Sequence, residues 1–220
     1  MINVIDLYKN YGNVEVLKGI SLNIMPHKLT TIVGASGAGK TTLLQIMATL
    51  ESPDSGKVLY SDKDVTLLRD KELSTFRNLH IGLVFQQHRL LPEFTIEENV
   101  MMPALLAGRS RRQAAGMAAE RLRELGLGHR LNHRPAELSG GECQRASVAR
   151  AIINNPSVIL ADEPTGSLDS ANRRQLHDIF FELRDKFGTT FVIVTHDDTL
   201  ADGSDIVIHM ADGKITKTVS

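Results

Sequence analysis

One stretch, Gly34-Ala35-Ser36-Gly37-Ala38-Gly39-Lys40-Thr41-Thr42, constrains this 220-residue chain more than any other. An apolar run of β character, Leu29-Thr30-Thr31-Ile32-Val33, leads into it, and a helical pattern carried by Leu43, Leu44, Ile46, Met47 and Leu50 follows. A strand that enters a glycine loop and then a helix directs backbone N–H groups and the positive helix end at one spot, which suits phosphate. The glycines admit backbone angles closed to other residues and let the chain approach the phosphate oxygens. In such a loop Lys40 reaches the β- and γ-phosphates and the Thr41 hydroxyl ligates Mg²⁺. From average residue usage, the four specified positions would coincide by chance in about one chain in a hundred of this length, and the flanking strand and helix make coincidence rarer. The pattern implies a nucleoside triphosphate site.

The length accommodates one domain, or a domain with an inserted lobe, around a sizeable core. Acids and bases nearly cancel, leaving a formal net charge of -1, so no polyelectrolyte signal favours nucleic acid. A single cysteine excludes an internal disulfide framework and fits a reducing compartment. The start, Met1-Ile2-Asn3-Val4-Ile5-Asp6, has neither a basic segment nor a long apolar one of the kind that directs secretion. No apolar run approaches the ~20 residues that span a bilayer. A cytosolic protein is expected, with any membrane role acting through a partner.

Taken in order, residues 2–7 and 20–24 alternate as strands, flanking a loop that holds Tyr8 and Tyr11. Tyr11 is either a ring for stacking on a base or a half-buried packing residue. Pro53-Asp54-Ser55-Gly56 predicts a turn, 57–60 a strand and 69–77 a helix. The run Ile81-Gly82-Leu83-Val84-Phe85 reads as a buried strand ending at Gln86, whose amide either ligates a water or metal or simply lies in solvent. From 88 to about 155 the pattern turns helical. Pro103 predicts a kink or break within 96–106, and 109–125 is amphipathic. Arg109, Arg111 and Arg112 form a basic cluster, either a solvated helix face or a contact for anionic headgroups or a partner. His129 and His133 have i,i+4 spacing, but no cysteine or carboxylate set accompanies them as a metal site would require.

Later motifs carry chemistry. In Leu138-Ser139-Gly140-Gly141-Glu142, Ser139 reads as the N-cap of a helix, a second anion-binding helix end without a lysine. Cys143 lies in that helix's first turn, either as an ordinary surface thiol or as one acidified by the helix end. The apolar run Val158-Ile159-Leu160-Ala161 ends in Asp162 and Glu163. The first acid suits Mg²⁺ and the second an attacking water. The loop Thr165-Gly166-Ser167-Leu168-Asp169 follows, then an amphipathic helix over 172–186 and a strand over 190–195 that ends at His196-Asp197-Asp198. Ala211-Asp212-Gly213 marks a final hairpin.

With these marks in this order, the chain resembles the ATP-binding subunits of ABC transporters over nearly all of its length. The resemblance implies an α/β fold: a P-loop NTPase (RecA-like) core with a mainly parallel sheet, an N-terminal antiparallel β region and an inserted helical lobe. Residues 1–86 and 157–220 would form the core and 87–156 the lobe, one cassette in total. ATP would be bound by Tyr11, stacking on adenine, and by Gly34, Ala35, Ser36, Gly37, Ala38, Gly39, Lys40, Thr41 and Thr42, the Walker A loop. Ser139, Gly140, Gly141 and Glu142 match the signature motif, which acts on the ATP of a second copy, and Asp169 matches the D-loop. Glu163, His196, Lys40 and Gln86 are the implied catalytic set, and Thr41, Gln86 and Asp162 the implied Mg²⁺ ligands.

A narrower resemblance, to the lipoprotein-releasing (LolD-type) ATPases, rests on Gln86-Gln87-His88-Arg89-Leu90-Leu91-Pro92-Glu93-Phe94-Thr95, on 129–139 and on Asn154-Asn155-Pro156. It implies a homodimer at the cytoplasmic face of the inner membrane, bound to two integral membrane subunits similar to LolC and LolE, with lipoprotein cargo reached through them. ATPases of the cell-division (FtsE) and macrolide-export (MacB) types share the 161–169 stretch and stay open as alternatives. A soluble non-transport ABC ATPase would need a second cassette or a long heptad insertion.

Overall fold

The computed structural model describes residues 2–166, 168–196, 201 and 203–219. Ser167, Asp197 and Asp198 of the motifs above lie outside the described residues. Strands β1 (Ile2–Tyr11) and β2 (Val14–Ile24) pair antiparallel as one long hairpin, so Tyr8 and Tyr11 are strand residues rather than members of a loop. Register shifts between Val4 and Leu7 and between Lys9 and Asn10 interrupt the period-two pattern, which is why alternation alone shortens both strands. β4 (Ser55–Tyr60) and β5 (Lys63–Asp64) complete a four-stranded antiparallel sheet of order β2-β1-β4-β5.

The second sheet contains β3 (Leu29–Val33), β6 (Ile81–Phe85), β7 (Val158–Asp162), β8 (Thr190–Thr195), β9 (Ile206–Ala211) and β10 (Lys214–Val219), in the order β10-β9-β3-β8-β7-β6. All neighbours run parallel except the β9–β10 hairpin. Its central strands are covered on both faces, which is why they read as unbroken apolar runs. Along β8, Phe191 and Ile193 join one core and Val192 and Val194 the other.

The first core is shared with α3 (Ile96–Leu106), α4 (Arg111–Glu124), α5 (Gly140–Ile152) and α6 (Ser170–Phe187); the second lies against α1 (Lys40–Met47), α2 (Asp70–His80) and the antiparallel sheet. The apolar residues of the 96–153 helices therefore form one continuous cluster with a face of the sheet.

α3 runs through Pro103 without a break. Proline removes one N–H but leaves its carbonyl in place. That carbonyl accepts from the Ala107 N–H at 3.0 Å and from the Asn78 and Asn154 side-chain amides at 3.1 Å each, so the last turn is held from inside and outside the helix. Among the described residues no helix is long and apolar enough to cross a membrane.

Candidate active site

The phosphate loop leaves β3 between β8 and β9. A Cβ at Gly34 would stand 2.1 Å from the Met210 carbonyl oxygen, so only glycine allows this close approach to β9. Gly39 is the N-cap of α1 with φ 93, a left-handed conformation that glycine adopts without strain. No side chain caps α1, leaving its opening N–H groups directed at the loop. The buried Lys40 ammonium donates to the carbonyls of Gly34 and Ala35 at 2.7 and 3.0 Å, bent back across the loop it belongs to.

Sheet order brings the acids to this loop. Asp162 ends β7, opposite Phe85 of β6 and Val194 of β8, and accepts from the Thr41 hydroxyl at 3.0 Å across 121 residues of sequence. Burial, and next the neighbouring Glu163 carboxylate, push the Asp162 carboxyl above the ordinary carboxylate range despite the Thr41 hydrogen bond. A divalent cation at that oxygen would reverse the effect by favouring the charged form.

Glu163 leaves the strand with φ 46, uncommon for a residue with a side chain, while its N–H still bonds the Val194 carbonyl at 2.8 Å. This twist delivers its carboxylate to the end of β8. There Oε2 accepts from the Thr195 hydroxyl at 3.1 Å and Oε1 meets His196 Nδ1 at 2.7 Å. Gln86 follows β6 and lies against the loop after Glu163: a Cβ on Gly166 would come within 2.8 Å of its Nε2.

A cleft of about 570 Å³ is lined by residues 36–42, Gln86, Glu163 and His196, with Val14 and Val16 of β2 as an apolar wall. The residues read from sequence as catalytic thus converge beyond the carboxyl ends of β3, β6, β7 and β8, where open α/β sheets bind ligands. Sequence reasoning missed Val14, Val16 and Thr195. The only available signal was the Val-x-Val alternation directly after the Tyr11-Gly12-Asn13 turn.

Tyr11 stands outside the lining of this cleft, 46% exposed, with its hydroxyl donating to Glu51 Oε2 at 2.5 Å. Ser139, Gly140, Gly141 and Glu142 also stand outside it. Ser139 caps α5 as the sequence predicts: the Glu142 N–H donates to Ser139 Oγ at 3.2 Å and the Ser139 N–H to Glu142 Oε2 at 2.8 Å. Arg130 Nε donates to the other Glu142 oxygen at 2.9 Å. The Ser139 N–H, with Arg130 adding to it, lowers the Glu142 carboxyl to about 2.

Gly141 packs so closely on α6 that a Cβ would lie 2.2 Å from Asn172 Oδ1. Asn172 in turn donates its Nδ2 to Asp169 Oδ2 at 2.6 Å, and Asp169 caps α6. The signature turn and Asp169 are therefore joined through one amide.

Cys143 corrects both sequence expectations, since it is neither a surface thiol nor an acidified one. It is buried, donates its S–H to the Pro135 carbonyl at 3.4 Å, and its thiol is raised by burial and then by Glu142. Desolvation outweighs the helix end because the side chain faces the core shared with Ala146 and Ala149.

Comparison with known proteins agrees with this geometry. A family model described as ABC transporter matches residues 17–166. The chain belongs to the ABC transporter family. The lipoprotein-releasing system ATP-binding protein LolD of Bacteroides fragilis is 57% identical over 215 residues, covering 98% of this chain and 100% of that protein. The protein of the same name from Geobacter metallireducens is 49% identical over 219 residues, covering 98% and 97%. A dimeric ATP-binding cassette in a post-hydrolysis state, bound to ADP and Pi, matches with a TM-score of 0.92 at 35% identity over 100% of this chain and 98% of that one. A second dimeric structure of that same cassette, described as a bacterial ABC transporter cassette, gives 0.92 at 37% identity with the same coverage. The P-loop NTPase architecture read from sequence is the observed one, and this ABC cassette is an ATP-binding, ATP-hydrolysing protein.

Proposed function

We propose that this ABC-type ATPase powers the release of lipoproteins from the inner membrane, working at its cytoplasmic face on two membrane subunits similar to LolC and LolE. The observation that carries the reading is end-to-end similarity to ATP-binding proteins named for lipoprotein release. Residues 87–156 are taken as the lobe that meets the membrane subunits, and 1–86 with 157–220 as the nucleotide-binding core.

Two copies would sandwich two ATP molecules, which is supported by the two dimeric structures of a cassette of like fold and by the position of the Ser139–Glu142 turn outside its own chain's cleft. Lys40 would exchange its loop carbonyls for β- and γ-phosphate oxygens, and the second copy's Gly140 and Gly141 N–H groups would face the γ-phosphate. Thr41 Oγ1 and Asp162 Oδ1, 3.0 Å apart, are hard oxygen donors that fit Mg²⁺, with the Gln86 carbonyl as a third. Mg²⁺ would neutralise charge on the phosphates. Glu163 would orient the attacking water and accept its proton as the bond between the γ-phosphorus and the bridging oxygen breaks. His196 and Thr195 hold the Glu163 carboxylate in one orientation for that task. The rate enhancement then comes from positioning and fixed electrostatics. Purification from membranes tests the assignment: two lipoprotein-releasing membrane subunits are expected to accompany the chain, and a single division-type membrane partner would overturn it.

A further inference from the structure

We infer that Glu51, steadied by Lys9, positions the Tyr11 ring for the nucleotide base and ties the base end of the site to the helix that holds the phosphates. The inference rests on the reading in which Tyr11 stacks on the base. Tyr11 is the last residue of β1 and is 46% exposed, so packing alone leaves its ring free to change rotamer. Its hydroxyl is nevertheless fixed, donating to Glu51 Oε2 at 2.5 Å from a position 40 residues away. Lys9 Nζ lies 3.1 Å from Glu51 Oε1, donates to the Ser52 carbonyl at 2.9 Å, and stands 5.4 Å from the centre of the Tyr11 ring. The Asn10 N–H donates to Asp54 at 2.6 Å, pinning the same strand end to the same loop.

Glu51 is not an arbitrary anchor. It lies four residues past the end of α1 at Met47, and the N–H groups of Leu50 and Glu51 reach back to the Gln45 carbonyl, inside that helix, at 2.9 and 3.4 Å. The ring is therefore held to the element whose opening residues, Lys40 to Thr42, line the phosphate cleft. The Lys9–Glu51 pair is half-buried, so its geometry is held by its surroundings as well as by charge. Its effect is to pre-set the distance between a stacked base and the triphosphate, which lowers the ordering cost of binding.

The experiment measures affinities of the full chain for ATP and for inorganic triphosphate. Glu51→Ala and Tyr11→Phe are each expected to weaken ATP by about three- to tenfold, the range for one hydrogen bond of ordinary net strength. Triphosphate affinity should stay unchanged. The double variant should be no weaker than either single, because both remove the same bond. Glu51→Gln, which keeps an acceptor, should recover part of the loss, and for Glu51→Ala KM for ATP should rise with kcat within about twofold. Unchanged ATP affinity in Glu51→Ala, or equal weakening of ATP and triphosphate, would overturn the inference. Failure of the stacking reading itself looks different: Tyr11→Ala would then bind ATP normally while Lys40→Ala does not.

Discussion

At Glu163 the backbone turns to φ 46 at a cost of about 1–3 kcal/mol, and the turn places a carboxylate between Thr195 and His196 at the cleft wall. Strain kept at a site lining a nucleotide cleft points to a chemical role for the side chain. Glu163→Gln retains size and one acceptor but cannot take a proton. ATP affinity should therefore stay near that of the unaltered protein, while steady-state hydrolysis falls by roughly 10²–10⁴, the usual worth of a general base. Lys40→Ala removes an ammonium already directed into the loop and should weaken ATP binding itself. Equilibrium binding and turnover measured on both variants separate the two roles, and near-normal turnover in Glu163→Gln would remove the base assignment.

Among the elements, α5 depends on its first turn. Glu142 has a folded value of about 2 against 4.5 for the free side chain, so folding favours the ionised carboxylate. Its contribution is complete above about 4.5 and disappears as pH falls toward about 2. Glu142→Gln keeps the capping pattern but not the charge, and should cost about 1 kcal/mol at neutral pH, with the gap closing through that acid window. Urea-denaturation midpoints across pH check this; a pH-independent gap would contradict it.

The segment before α3 has a different organiser. Buried Asn99 accepts from the Leu91 N–H at 2.7 Å and donates to the carbonyls of Leu91, Phe94 and Thr95 at 3.0, 3.3 and 2.9 Å. Asn99→Leu would leave those groups without their partner and should cost roughly 2 kcal/mol or more, with proteolysis appearing first within 90–95. Unchanged stability would show that the segment is held otherwise.

On the scale of the molecule, the central sheet separates two cores, and residues 86–95 lead from the carboxyl end of β6 at the cleft into the helical one. Three apolar residues there have different surroundings. Leu90 is 7% exposed and part of the core, whereas Leu91 and Phe94 are 41% and 40% exposed. Arg150 fixes this passage by donating to the carbonyls of Arg89 and His88 at 2.7 and 2.9 Å, and Gln144 does so by donating to that of Phe85 at 2.9 Å. If the lobe docks on membrane subunits as proposed, Leu91→Glu and Phe94→Glu should uncouple ATP hydrolysis from transport while the isolated chain still hydrolyses ATP. Leu90→Glu should instead unfold the lobe by placing a charge in its core. Assays of the reconstituted transporter beside the isolated chain distinguish these outcomes; loss of hydrolysis in Leu91→Glu with the complex intact would assign the segment to the nucleotide site.

Residue order alone determined the phosphate loop between β3 and α1, the Ser139 cap, the apolar strand ending in Asp162 and Glu163, and the last hairpin. Each is a local pattern of spacing, capping or turn chemistry that needs no distant partner. Tertiary structure decided what those pieces face. Thr41 meets Asp162 and Glu163 meets His196 because β7 and β8 take the places beside β6 and β3, and strand order is a property of the assembled sheet. For the same reason Tyr11 finds Glu51, Leu90 turns inward while Leu91 stays out, and the Pro103 carbonyl of α3 takes amides from Asn78 and Asn154. Cys143 states the difference most sharply: its sequence position offers a helix dipole, and its packing replaces that field with desolvation.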